Sequence, residues 1–242
     1  MPAQRPDRAS SPGATGSAGL ARFLGGGSGR GRVDVPDRLR EGYGPNAAAL
    51  LRLQEDGIRL VVTVDCGIAA HAALGAAATA GLEVVVVDHH LPEDALPPAH
   101  AIVNPNRRDD LSGQGQLAAV GVAFLLAVAT NRVLRRAGWF GSVAEPDLRA
   151  LLDVVALGTV CDMVPLTGVN RALVVQGIKV IAERPSLGLK ALIEVAGISG
   201  AIEAGHLGFQ LGPRVNAGGR VGEADLGARL LLTTDPEEAK AL

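Results

Sequence analysis

Five side chains in this sequence could together hold a metal ion. Asp65 follows one short apolar run, Asp88, His89 and His90 follow a second, and Asp162 closes a third apolar stretch. In open α/β sheets ligands bind beyond the carboxyl ends of the strands, where loops converge. Three carboxylates and two imidazoles at one such rim make a mixed oxygen and nitrogen set, suited to Mn²⁺, Mg²⁺ or Zn²⁺. A cation there would offset the repulsion between clustered acids. Taken singly, each residue has an ordinary explanation. An Asp after a strand commonly caps a helix or starts a turn, and a lone His commonly fills surface or core. The adjacency of Asp88, His89 and His90 directly behind the all-valine run 84–87 favours the metal reading. Cys66 and Cys161 each neighbour a candidate ligand; thiolates suit softer metals, and both cysteines read as small buried residues beside the site.

The elements that must position these groups are legible as a pattern. Residues 59–65 form a short β-branched run ending in Asp, as a buried parallel strand does. Residues 69–80 are alanine-dense and predict a helix, closed by Gly81 just beyond its end. Residues 82–88 predict a second buried strand, again ending in Asp. Strand, helix and strand at this spacing make a right-handed βαβ unit. The fold expected is α/β, a doubly wound parallel β-sheet with a helical C-terminal part. Further helices are expected over 115–137, 147–157, 170–183 and 186–196, the last two separated by Pro185. Residues 225–242 are helical in composition and carry no closing cap, so they read as a helix that continues. Residues 1–32, rich in Arg, Pro, Ser and Gly, predict a flexible, poorly packed segment.

Composition narrows the class. The 242 residues include 23 Lys+Arg against 25 Asp+Glu, a net charge of -2, which excludes a globally basic nucleic-acid coat but leaves room for a local basic groove. With 48% hydrophobic and 20% charged residues the chain is not wholly disordered. Aromatic residues supply only 2%, so Ala, Val, Leu and Ile must build the core. Two cysteines exclude a disulfide framework and fit a reducing compartment. No apolar run approaches the roughly 18 residues of a membrane span, and no signal-peptide h-region is present, so the cytoplasm is the expected location. No Gly-x-Gly-x-x-Gly follows a strand, which argues against a dinucleotide-binding oxidoreductase.

The triplet Asp88-His89-His90 resembles the signature of the DHH phosphoesterase superfamily. Residues 63–67, containing Asp65, resemble its second motif, and residues 158–166, containing Asp162, its fourth. Residues 35–44 and 208–220 are similar to two further stretches of its single-strand-specific 5′→3′ DNA exonucleases. The resemblance covers about residues 33–242, with the phosphoesterase core at 33–168 and a helical extension, the start of an interdomain helix, at 169–242. It implies a DHH-type domain that hydrolyses phosphodiester bonds of single-stranded DNA with two Mn²⁺ or Mg²⁺ ions, in recombination and repair. Carried over by motif, Asp65, Asp88, His89 and Asp162 would hold metal. His90 would face the scissile phosphate and Asp162 would also serve the chemistry. Arg38, Arg214 and Arg220 would grip phosphates, for which an Arg fork is well shaped. Tyr43 would stack on a base and Asn216 would help place the strand.

The sequence departs from that pattern at its start. The superfamily's first motif, Asp-x-Asp-x-Asp-Gly, supplies further ligands, yet Arg8, Ser10 and Pro12 stand where its Asp residues would be. The strand before that motif and the second domain of the exonucleases are also missing from the resemblance. It therefore implies a partial domain with impaired activity that binds one metal rather than two. A non-catalytic single-strand binder is the alternative, as is a small-oligonucleotide phosphodiesterase or pyrophosphatase of the same superfamily. The extended Arg stretches argue against a small substrate.

Overall fold

The computed structural model describes residues 11–26, 31–35, 44–221 and 225–242. Three parallel strands form one sheet in the order β1 (Leu60–Val64), β2 (Glu83–Val87) and β3 (Ala101–Val103). The register pairs Val64 with Val87 and Val87 with Val103, so all three strands end at the same rim. Helix α1 (Ser11–Gly26) precedes the sheet, as does α2 (Ala47–Glu55), which is capped by Asn46 Oδ1 accepting from the Ala49 N–H at 2.8 Å. Helix α3 (His71–Thr79) links β1 to β2. Gly81 takes a left-handed φ of 77° in the turn after α3, where the sequence placed its stop.

The strands read as continuous apolar runs because both faces are covered. On one face Val64 and Val87 pack with Leu20 and Phe23 of α1, with Leu117, and with Val122 of α4 (Ala119–Arg136). On the other, Val84 and Val86 pack with Leu50 of α2 and with Leu74 and Ala77 of α3. The sheet is thus doubly wound, as expected.

A helical layer completes the molecule. It comprises α5 (Leu152–Cys161), α6 (Gly168–Glu183), α7 (Leu187–Val195), α8 (Ala204–His206), α9 (Gly212–Val221), α10 (Leu226–Leu232) and α11 (Pro236–Ala241). A π-helical turn, Leu207–Leu211, joins α8 to α9. Leu157, Leu189, Leu207, Leu211 and Leu231 are fully buried in this layer. Phe23 is buried, whereas Trp139 and Phe209 are exposed, in keeping with a mainly aliphatic core. No helix among the described residues is long and apolar enough to cross a membrane.

Three expectations need correction. Residues 11–26, read as part of a flexible segment, are a helix that buries Thr15, Ala18, Leu20 and Phe23. Its small residues serve close packing: a Cβ at Gly16 would collide with Val64 on β1. Arg22 fastens the helix from the side, donating to Asp153 Oδ1 at 2.8 Å and to the Ala150 carbonyl at 2.9 Å. The helix read over 147–157 begins as a 3₁₀ turn, Leu148–Leu151, and α5 then runs on to Cys161. The apolar stretch that Asp162 closes is therefore a helix, with Asp162 its C-cap. The C-terminal stretch is not one helix but two, α10 and α11. Asp235 separates them, its Oδ1 accepting from the Glu237 N–H at 2.9 Å as N-cap of α11.

Candidate metal centre

The rim where β1 and β2 end carries the cluster. Asp65 sits one residue beyond β1 and still donates its N–H to the Val87 carbonyl at 2.9 Å. Its φ is +65°, and Met163, directly after Asp162, has φ +56°. These are the two non-glycine residues with positive φ among those described, and such backbone costs about 1–3 kcal/mol each unless its surroundings hold it. Gly67, at φ +110°, then turns the chain back under β2. A side chain there would strike Thr63 Oγ1 and Val86.

His89 is the hub. Its Nε2 lies 3.3 Å from Asp65 Oδ1 and 3.5 Å from Asp162 Oδ2. Its Nδ1 lies 3.0 Å from the Leu117 carbonyl, which can only accept, so the Nδ1 proton is fixed there and Nε2 faces the two acids. Asp65, His89 and His90 each bring one possible ligand atom to within 4.8 Å of the other two. Burial by itself would lower the His89 imidazole; contact with Asp65 and the charges of Asp162 and Asp65 outweigh it and push the pKa up to about 9. Asp162 is raised to about 6, by burial first, with the charge of Asp65 adding and that of His89 opposing. Asp162 Oδ2 is buried and makes no hydrogen bond among the described residues. Two acids and an imidazole nitrogen thus converge on a point that, without an ion, a proton on Nε2 must serve. This donor set fits a hard divalent cation.

Asp88, also expected as a ligand, accepts four hydrogen bonds. One oxygen accepts from the Ile68 N–H at 3.1 Å, and the other from the N–H groups of His89 (2.7 Å) and His90 (3.2 Å) and from His90 Nδ1 (2.6 Å). These bonds orient the loop, and Oδ2, with a single donor, keeps a lone pair for an ion. Burial acts to raise its pKa, but the His90 contacts and the backbone donors bring it below the usual value. His90 in turn is raised, chiefly by its hydrogen bond to Asp88, and about half of its side chain is exposed.

Of the expected strand-binding residues, Arg214 and Asn216 lie on α9. That helix abuts α5 just before Asp162, with Gly212 against Cys161. Arg214 is exposed, and its Nη1 donates to the Gln210 carbonyl at 2.7 Å. Arg220 falls within α9, but its side chain lies outside the described residues, as do Arg38, Tyr43, Arg8 and Ser10. A Cβ at Gly13 would lie 3.6 Å from Asp65 Oδ2, so α1 begins beside the cluster.

Three residues that the sequence reading passed over belong to this site: Asn104, Asn106 and Asn170, whose amides hold the loops around His89. The Asn-Pro-Asn run directly after β3 was the available signal, hidden because a three-residue strand leaves almost no periodicity.

A doubly wound parallel sheet carrying an Asp-His-His loop at its carboxyl rim defines the class, and the family model described as "DHH family, N-terminal domain" matches residues 12–159. The chain belongs to the DHH family. The match begins at α1, ahead of the core boundary expected at residue 33. Among curated proteins the chain is 46% identical over 212 residues to the single-stranded-DNA-specific exonuclease RecJ of Escherichia coli, covering 86% of this chain and 37% of that protein. It is 39% identical over 235 residues to RecJ of Thermus thermophilus, covering 95% of this chain and 32% of the relative. A solved structure of exonuclease RecJ bound to manganese superposes with a TM-score of 0.82 at 38% identity, covering 96% of this chain and 56% of that one. Thermus thermophilus RecJ in complex with Mn²⁺ gives a TM-score of 0.77 at 36% identity, with 96% and 32% covered. The chain thus spans about a third of the length of these curated relatives.

Proposed function

We propose that this chain is the metal-binding part of a RecJ-type exonuclease, which hydrolyses phosphodiester bonds of single-stranded DNA from the 5′ end with Mn²⁺ or Mg²⁺. The observation that carries this reading is the convergence of Asp65 Oδ1 and Asp162 Oδ2 on His89 Nε2 at 3.3 and 3.5 Å. Asp65, His89 and Asp162 would hold the ion, with His90 at its edge. When bound, the ion supplies Lewis-acid activation of water and neutralises charge on the phosphate.

The remaining chemistry falls to the protein. Leu117 keeps the Nδ1 proton of His89 in place, leaving Nε2 to offer its lone pair once deprotonated. Asp88 holds His90 Nδ1 at 2.6 Å and favours its protonated form, which suits hydrogen bonding to a phosphate oxygen or protonation of the leaving oxygen. Arg214, Arg220 and Arg38 would track the backbone of the strand, Tyr43 would stack on a base, and Asn216 would help position it. A chain with only two cysteines fits a reducing cytoplasm. The role so assigned is in DNA recombination and repair.

One observation supports a second reading. Arg8, Ser10 and Pro12 replace the acids of the superfamily's first motif, which favours a chain that binds single strands without cutting them. Incubation of a 5′-phosphorylated single-stranded oligonucleotide with Mn²⁺, beside an Asp162→Ala control, separates the two. Shortening from the 5′ end that falls at least about 100-fold in the control supports the nuclease. Binding that persists in chelator, without cleavage, supports the remnant. Cleavage confined to dinucleotides would instead favour a small-substrate phosphodiesterase.

A further inference from the structure

We infer that Asn104, Asn106 and Asn170 form a clamp of neutral amides that sets the spacing of the metal ligands, with Asn106 its central positioning residue. The inference rests on the metal-centre reading above and adds to it residues that touch no metal. Asn106 Nδ2 donates to the His89 carbonyl at 2.5 Å and to the Gly115 carbonyl at 3.0 Å. Asn104, buried to 3% exposure, donates to the His90 carbonyl at 2.9 Å, and its Oδ1 accepts from the Asn106 N–H at 2.7 Å. Asn170, fully buried at the start of α6, donates to the Gln116 carbonyl at 2.7 Å and to the Pro165 carbonyl at 3.1 Å.

These bonds close a loop through the site. His89 is gripped on its main chain by Asn106, and its ring is gripped by the Leu117 carbonyl. Residues 115–117, which supply that carbonyl, are tied to Asn106 at Gly115 and to Asn170 at Gln116. Through Pro165, Asn170 also anchors the segment that leaves Asp162. The two arms of the ligand set, His89 and Asp162, are therefore braced against one another through side-chain amides.

The residue type is the informative part. All five acceptors are main-chain carbonyls, so each amide must present its NH₂, and one planar group can serve two of them. An ammonium or guanidinium would donate as well but would repel a cation nearby, and a carboxylate would donate nothing. Gly115 shows how closely the parts fit, because a Cβ there would run into the Asn106 amide. Partners that orient metal ligands are worth about 10–100-fold in metal affinity.

The test measures Mn²⁺ affinity from the free-ion electron paramagnetic resonance signal, together with thermal unfolding in chelator. Asn106→Ala is expected to weaken Mn²⁺ binding about 10–100-fold, by more than any loss of metal-free stability accounts for. Asn170→Ala, acting on the other arm, should weaken it as well. The double variant should fall short of the sum of the two effects, since either cut opens the same brace. An unchanged Mn²⁺ affinity in both folded single variants, whatever their melting temperatures, would overturn the clamp and leave the metal centre standing. Should Asn106→Ala fail to fold, Asn170→Ala alone decides by the same criterion. Wild-type protein that binds no Mn²⁺ would overturn the metal-centre reading and the clamp with it.

Discussion

At neutral pH His89 holds the protonation state opposite to the one a metal needs, and Asp162 is shifted in the same direction. The His89 pKa, raised from 6.5 to about 9, means that its contribution to stability is complete below 6.5 and lost as the pH climbs through about 9. Asp162, raised from 3.8 to about 6, adds a penalty that is absent below 3.8 and complete above about 6. Both groups thus make the metal-free fold less stable as pH rises, whereas a bound cation requires neutral His89 and ionised Asp162. Mn²⁺ binding is expected to release about one proton at pH 7 and to tighten roughly tenfold per pH unit up to about 9. Calorimetry in two buffers of different ionisation enthalpy measures that number, and zero release would remove His89 from the ligand set. At this scale the sequence was informative about residue type but silent on direction. Asp65 and Asp88 looked equivalent, each an acid behind a strand. The left-handed turn at Asp65 and the four hydrogen bonds accepted by Asp88 then gave them different work. Spacing does not encode the way a carboxylate turns.

Among the elements, β1, α3, β2, α4, α6 and α7 were legible from apolar runs and helix-forming composition, whereas α2, β3, α8 and α9 were not read. Helix α1 was not legible either. Its Gly, Ala and Ser content is that of a linker when read alone, and only a neighbouring sheet makes small residues an advantage. The anchor of α1 is Arg22 on Asp153, a carboxylate that also accepts from the Val154 and Ser186 N–H groups at 2.7 and 3.0 Å. Asp153 is fully buried, so removing it leaves a guanidinium and two backbone donors unpaired. Asp153→Ala is expected to lose about 3 kcal/mol in urea unfolding, and a loss under about 1 kcal/mol would show that α1 docks by apolar contact alone.

For the whole molecule, α1 begins beside Asp65, and by the resemblance residues 8, 10 and 12 stand where the superfamily's first motif would add ligands. Replacing them together, as Arg8→Asp, Ser10→Asp and Pro12→Asp, is expected to raise the Mn²⁺ stoichiometry from one to two. A stoichiometry that stays at one would show that this stretch does not face the centre. Such a gain would separate a chain that has lost only ligands from one whose groove has also gone. A net charge of -2 gives the molecule as a whole little pull on a polyanion, so the strand binding proposed above would have to come from local arginines such as Arg214.

Helix α1 packs not only on α4 and α5 but also on α10, which begins 200 residues after α1 ends (226 − 26). At about 5–20 residues per second, a ribosome needs roughly 10–40 s to make that interval. Throughout it, the side of α1 that carries Ala14 and Ala18, which cluster with Leu230 and Leu231, lacks part of its eventual cover. The nascent chain should therefore depend on chaperone protection early in its synthesis, and α1 should reach its full packing only once α10 has been made.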